Sequence, residues 1–77
     1  MIPIPSCTVV TSTSDGRVHS LVDEGTAVAA GDVVATVDIG GRTVELTTPR
    51  AGLIRGFLAH LAQPVAVGDG VVWLARA

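Results

Sequence analysis

The chain has 77 residues, 48% of them apolar and 16% charged, with a formal net charge of −2. That length predicts one small domain near the lower limit for folding unaided, and the single cysteine, Cys7, excludes an internal disulfide. The five basic residues are scattered arginines with no basic run, which argues against non-specific nucleic-acid binding, and no apolar run approaches the ~20 residues of a membrane span.

Met1-Ile2-Pro3-Ile4-Pro5 lacks the basic n-region and apolar h-region of a signal peptide. A lone thiol suits a reducing compartment, so a soluble cytoplasmic protein is expected. Met1 at the start and an end just past a final strand suggest a complete unit.

In chain order, valine-rich segments predict strands at 7–12, 16–23, 33–39, 42–47, 52–60 and 71–76, with very short pieces at 27–28 and 64–66. Thr11-Ser12-Thr13-Ser14-Asp15 is a polar loop between the first two. Turn signals separate the rest: Glu24-Gly25, Gly31-Asp32, Gly40-Gly41, Ala51-Gly52 and Gly68-Asp69-Gly70. Val33, Ala35, Val37 and Ile39 fall on one face by alternation; so do Val44 and Leu46, with Thr43, Glu45 and Thr47 opposite. Gly40-Gly41 between these two strands fits a type I′ hairpin, which needs φ > 0 at both positions. Residues 53–62 compete as a helix because leucine and alanine favour one, but Gly56 and the nearby Pro64 favour a strand. The expected core is Val18, Leu21, Val28, Val34, Val37, Val44, Leu46, Ile54, Phe57, Val65 and Val72, with Trp73 partly buried.

The chain repeats itself. Val28-Ala29-Ala30-Gly31-Asp32-Val33-Val34 matches Val65-Ala66-Val67-Gly68-Asp69-Gly70-Val71, and Asp15-Gly16-Arg17-Val18 stands before the first as Ala51-Gly52-Leu53-Ile54 stands before the second. The offset is 37 residues at the Gly-Asp pair and 36 at the leading glycine, so the second half carries one extra residue. Two copies suit an all-β, closed, pseudo-two-fold unit in which each half supplies one sheet, limiting exposed edges.

The ordered set of Gly16, Gly25 with Val28, Gly31-Asp32, the hairpin, Pro49 with Gly52, and Val65 with Gly68 resembles biotinyl/lipoyl attachment domains. The resemblance runs from about Pro5 to Ala75. It implies a barrel-sandwich hybrid, a flattened barrel of two four-stranded antiparallel sheets, with residues 1–77 forming one lipoyl-like domain. Ile39-Gly40-Gly41-Arg42 lacks the methionines that flank the lysine in biotinyl domains, so it is more similar to lipoyl ones. Counting back from Pro49 and Gly52, Gly40 stands at the position of the family's aspartate and Gly41 at that of its attachment lysine. The chain has no lysine. Arg42 is no substitute, because a guanidinium stays protonated and is a poor nucleophile. No cofactor is therefore expected.

Several residues have more than one reading. Gly40 and Gly41 either simply make the tightest hairpin or present a bare tip to a partner. Arg42 is a solvated flank, a partner of Asp38 or Glu45, or an anchor for an acidic partner. The resemblance implies that the loop Ser12, Thr13, Ser14 and Asp15 lies beside the tip and shares a recognition surface with it; the alternative is an ordinary turn cluster. Cys7 is a strand cysteine or a reactive thiol, with no neighbouring cation to lower its pKa. His19 and His60 have no partners at metal-ligand spacing, so no metal is expected. No nucleophile–base set and no phosphate-cradling loop is visible, and the chain is not expected to be an enzyme. The leading expectation is a lysine-less pseudo-carrier, a scaffold or adaptor that docks to an acyltransferase, carboxylase or dehydrogenase-complex component. The alternative carries an acyl or other small group on Cys7, on a hydroxyl or non-covalently. A third is a degenerate structural subunit of such a complex.

Overall fold

The computed structural model describes residues 7–76. Those residues form eight strands: β1 (Cys7–Thr11), β2 (Gly16–Leu21), β3 (Ala27–Val28), β4 (Val33–Ile39), β5 (Arg42–Thr47), β6 (Gly52–Phe57), β7 (Pro64–Val65) and β8 (Gly70–Ala75). They make two four-stranded sheets, ordered β1-β8-β6-β3 and β5-β4-β2-β7, with every pairing antiparallel. This is the expected all-β barrel-sandwich. Among the described residues no helix is long and apolar enough to cross a membrane.

The repeat is a structural pseudo-two-fold that exchanges the sheets. In one half the Thr48 N–H donates to the Asp32 carbonyl and the Gly31 N–H to the Thr48 carbonyl; in the other, Ser12 N–H donates to Asp69 and Gly68 N–H to Ser12. The aspartate of each Gly-Asp pair closes its own turn. Asp32 Oδ2 accepts from the Ala29 N–H and Asp69 Oδ2 from the Ala66 N–H, at 2.8 and 2.9 Å. The extra residue of the second half is Ala59. The Val22 N–H bonds to Val34 as Leu58 bonds to Val71, yet the next turn starts at Asp23 in one half and at His60 in the other. Ala59 takes up the difference by turning inward, where it is 1% exposed.

The helix-compatible segment is a strand that stops at Phe57 and then turns. Its Gly56 lies opposite Trp73, and a Cβ there would run into the indole Nε1. At the end of that turn Ala62 adopts φ 66°, where the equivalent first-half residue is Gly25 at φ 86°.

The core lies between the sheets. Of the expected core, Val18, Val28, Val34, Val37, Leu46, Ile54, Val65 and Val72 are buried. Leu21 and Phe57, the last residues of β2 and β6, and Val44, on the edge strand β5, are only half-buried. Val10, Ala35, Ala59, Val71 and Leu74 join the core. The alternation over 33–39 differs from the expectation at its start: Val33 pairs with Thr47 and Ala35 with Leu46, leaving Val34 as an extra residue in a bulge. A bulge resets the two-residue phase, so Val34 and Ala35 both point inward while Val33 is 41% exposed. β8 repeats this at Val71, between the Thr11–Gly70 and Val10–Val72 pairs.

Candidate functional site

The hairpin tip follows from its own residues. Ile39 pairs with Arg42, which leaves Gly40 and Gly41 as a two-residue loop. Their φ angles are 59° and 89°, the left-handed pair of a type I′ turn, which only glycine adopts without strain. Asp38 Oδ1 accepts the Gly41 N–H at 3.0 Å, bracing the turn. A Cβ built at either glycine meets nothing within 4 Å, so the tip stands free in solvent.

Arg42 is exposed at the end of the row it shares with Val44 and Leu46. Glu45 lies on the opposite face of β5, and the Asp38 carboxylate is engaged with the turn.

The loop after β1 does lie beside the tip. Gly16 packs on the Asp38 carbonyl and against Val37 and Ile39, where a side chain would collide. Arg17 pairs with Asp38, one step further on. Thr13 and Asp15 are exposed and Ser14 is half-buried. Ser12 corrects the expectation: it is 2% exposed, and its hydroxyl donates to the Ser14 carbonyl at 2.5 Å. The inward turn that its backbone makes to meet Gly68 and Asp69 takes the side chain with it. Sequence reasoning also missed Val67. Asp15 Oδ1 accepts the Val67 N–H at 2.9 Å, which holds this 64%-exposed apolar side chain next to the loop. Its place in the Gly-Asp repeat was a signal for a turn but not for where the turn would sit.

Cys7 is exposed but belongs to the other end of the molecule. It pairs with Ala75, which also pairs with Leu53, and Leu53 pairs with Ala27. From there the chain reaches Val33, the end of β4 away from the tip. His19, at the β2 bulge, and His60, in the turn after β6, are both exposed. Among the described residues no group of three or more His, Cys, Asp or Glu is placed to hold a metal. No buried side-chain polar atom among them lacks a hydrogen-bond partner, so the interior offers no orphaned group to a ligand.

A family model described as biotin-requiring enzyme (Biotin_lipoyl) matches residues 2–74. The chain belongs to the biotin/lipoyl family. Domains of this family are carriers and are not themselves catalytic. A single-chain, multi-domain long-chain acyl-CoA carboxylase has the same fold at 21% identity and TM-score 0.85, over 100% of this chain and 8% of that one. The Kluyveromyces lactis urea carboxylase matches at 20% identity and TM-score 0.84, over 97% of this chain and 7% of that one. The product-bound ectoine utilization protein EutE (DoeB) from Ruegeria pomeroyi is 33% identical, with TM-score 0.71, over 90% of this chain and 22% of that one. No curated protein sequence matches the chain. The chain spans less than a quarter of each of these larger proteins. Biotin or lipoate, the groups this family carries, do not fit the residues present as covalent cargo, since Gly41 offers no amine and the chain has no lysine.

Proposed function

We propose that this chain is a single lipoyl-like module, not an enzyme in its own right, that works by docking its hairpin end to a catalytic partner. The observation that carries the proposal is the tip itself: two left-handed glycines, free of neighbours and braced by Asp38, where a carrier would hold its lysine. A bare tip lets partner backbone approach closely. Arg42 supplies a directional charge and Val67 an apolar contact, with Thr13, Ser14 and Asp15 completing the rim. Arginine is enriched among residues that dominate binding energy. The partner is proposed to be a component of a larger enzyme assembly, such as an acyltransferase, a carboxylase or a dehydrogenase complex. A segment of this fold forms a fraction of a larger protein in the carboxylases and in the ectoine utilization protein, which favours such a setting. Carriage on Cys7 or on the Ser12 hydroxyl is less favoured, since one is remote from the tip and the other is buried.

The test is affinity for a partner isolated by pull-down, with thermal unfolding of each variant. Arg42→Ala and Val67→Asp should each weaken binding at least tenfold with the melting temperature unchanged. Unaltered affinity in both would overturn the docking surface. Incubation with a lipoyl or biotin ligase should add no mass to the native chain, whereas Gly41→Lys should gain an acceptor; a side-chain adduct on the native chain would sink the pseudo-carrier reading.

A further inference from the structure

The two halves of the chain serve as controls for each other, since what the fold requires occurs twice. The Val18 N–H donates to Gln63 and the Ala62 N–H to Val18; at the equivalent place Ile54 N–H donates to Thr26 and Gly25 N–H to Ile54. Two side-chain bonds at this crossing occur once only. Asp15 Oδ1 accepts the Val67 N–H at 2.9 Å, and Arg17 Nη1 donates to the Ala62 carbonyl at 3.2 Å. Among the described residues these are the two side-chain hydrogen bonds that join one half of the chain to the other, across 52 and 45 positions. Both start from the residues either side of Gly16, at the tip end, and they hold residues 62–67 at both ends. The residues either side of Gly52 are Ala51 and Leu53, which can make neither bond, so residues 25–30 lack this support.

Asp15 and Arg17 are exposed, and a hydrogen bond in contact with water adds little to global stability. Their effect is local. Residues 62–67 have little ladder of their own: β7 is two residues long and begins with proline, which has no N–H to give. The segment starts at Ala62, whose φ of 66° is uphill for alanine, and ends at Val67, an exposed apolar side chain. The bond from Arg17 holds the first where it would otherwise relax, and the bond from Asp15 holds the second. We infer that Asp15 and Arg17 are positioning residues: they fix residues 62–67, and Val67 with them, beside the hairpin tip before a partner arrives. The role rests on the docking reading of the hairpin end and adds the residues that set its surface. A surface ordered in advance loses less freedom on binding, and opening of such a segment is a local event that leaves the core intact.

The test is backbone amide NMR relaxation of the full chain, read as order parameters, together with affinity for the partner isolated by pull-down. In the native chain residues 62–67 should sit near the rigid value of about 0.85 and residues 25–30 below it. Asp15→Ala and Arg17→Leu, which copy Ala51 and Leu53, should bring residues 62–67 down to the level of 25–30 with the melting temperature unchanged. Asp15→Asn keeps an oxygen acceptor and should retain both the order of Val67 and the affinity. Asp15→Ala should weaken partner binding about fivefold, and should add little in a chain that already carries Val67→Asp, because it acts through Val67. Equal order in the two segments of the native chain overturns the inference, as does order over 62–67 that survives both substitutions, or a loss of order spread over every strand with a lower melting temperature. If Val67→Asp weakens binding and Asp15→Ala does not, the docking reading stands and the positioning role falls. If Val67→Asp and Arg42→Ala both leave affinity unchanged, the docking reading falls and takes this role with it.

Discussion

The two sheets have one backbone plan and opposite outer surfaces. Strands β2, β4 and β5 carry Arg17, Asp38, Arg42 and Glu45, and they turn threonines and Ser20 to water. Ser20 and Thr36 even hydrogen-bond side chain to side chain across that face, at 2.6 Å. The other sheet shows water Val9, part of Trp73, Leu58 and one arginine. The plan is held by inward residues and turns: matched bulges at Val34 and Val71, matched Gly-Asp turns, and matched buried hydroxyls at Ser12 and Thr48. Outward positions are not bound by those constraints, so the two outer surfaces differ in polarity. The sheet that bears the hairpin tip is the solvated one.

If the plan is shared, equivalent substitutions in the two halves should cost the same. The largest effect is expected at Gly16 and Gly52, whose added Cβ would strike the Asp38 carbonyl in one half and the Ala75 carbonyl, at 2.5 Å, in the other. Backbone cannot move aside as a side-chain end can, so valine at either site should cost ~3 kcal/mol or more. Urea unfolding measures both; a large cost at one and none at the other would break the equivalence. Next is Leu74→Ala, which empties a fully buried core position beside Ile54 of β6. It should cost ~2–5 kcal/mol by lost burial and the cavity left behind, read as a lower urea midpoint at unchanged slope.

A smaller loss is expected from the buried hydroxyls. Thr48 Oγ1 donates to the Arg50 carbonyl at 2.7 Å, as Ser12 does to Ser14. Ser12→Ala and Thr48→Val should each cost ~1 kcal/mol, and a cost above that at Ser12 alone would show its loop to be the more demanding. The smallest effect is a gain. Ala62 at φ 66° replaces the glycine that the first half uses at this point, so Ala62→Gly should stabilise by ~0.5–1 kcal/mol as left-handed strain is relieved. A higher melting temperature checks it; a lower one would mean that the Ala62 methyl has a role in the fold beyond its turn.

The parts of the fold that a single chain encodes locally were legible. Gly-Asp pairs, the Gly-Gly hairpin and period-two alternation placed all eight strands, and the 36-to-37 change of offset foretold an extra residue that proves to be Ala59. The Gly40-Gly41 tip was also readable, because a two-residue loop needs no partner elsewhere in the chain. Ser12, Val67 and the outer face were not. Burial of Ser12 depends on backbone bonds to Gly68 and Asp69, and the place of Val67 on a bond to Asp15 52 residues away. Alternation says that two faces exist but not which one is dry, and a bulge resets its phase without leaving a mark in composition. The sequence by itself therefore determined the turns and the repeat, since each is written in neighbouring residues, and the absence of any lysine. Only the tertiary structure decided that Val10 and Val71 join the core while Val44 stays half-buried, which polar loop residue was buried, and that one outer face was left apolar, because those follow from which distant strands lie side by side.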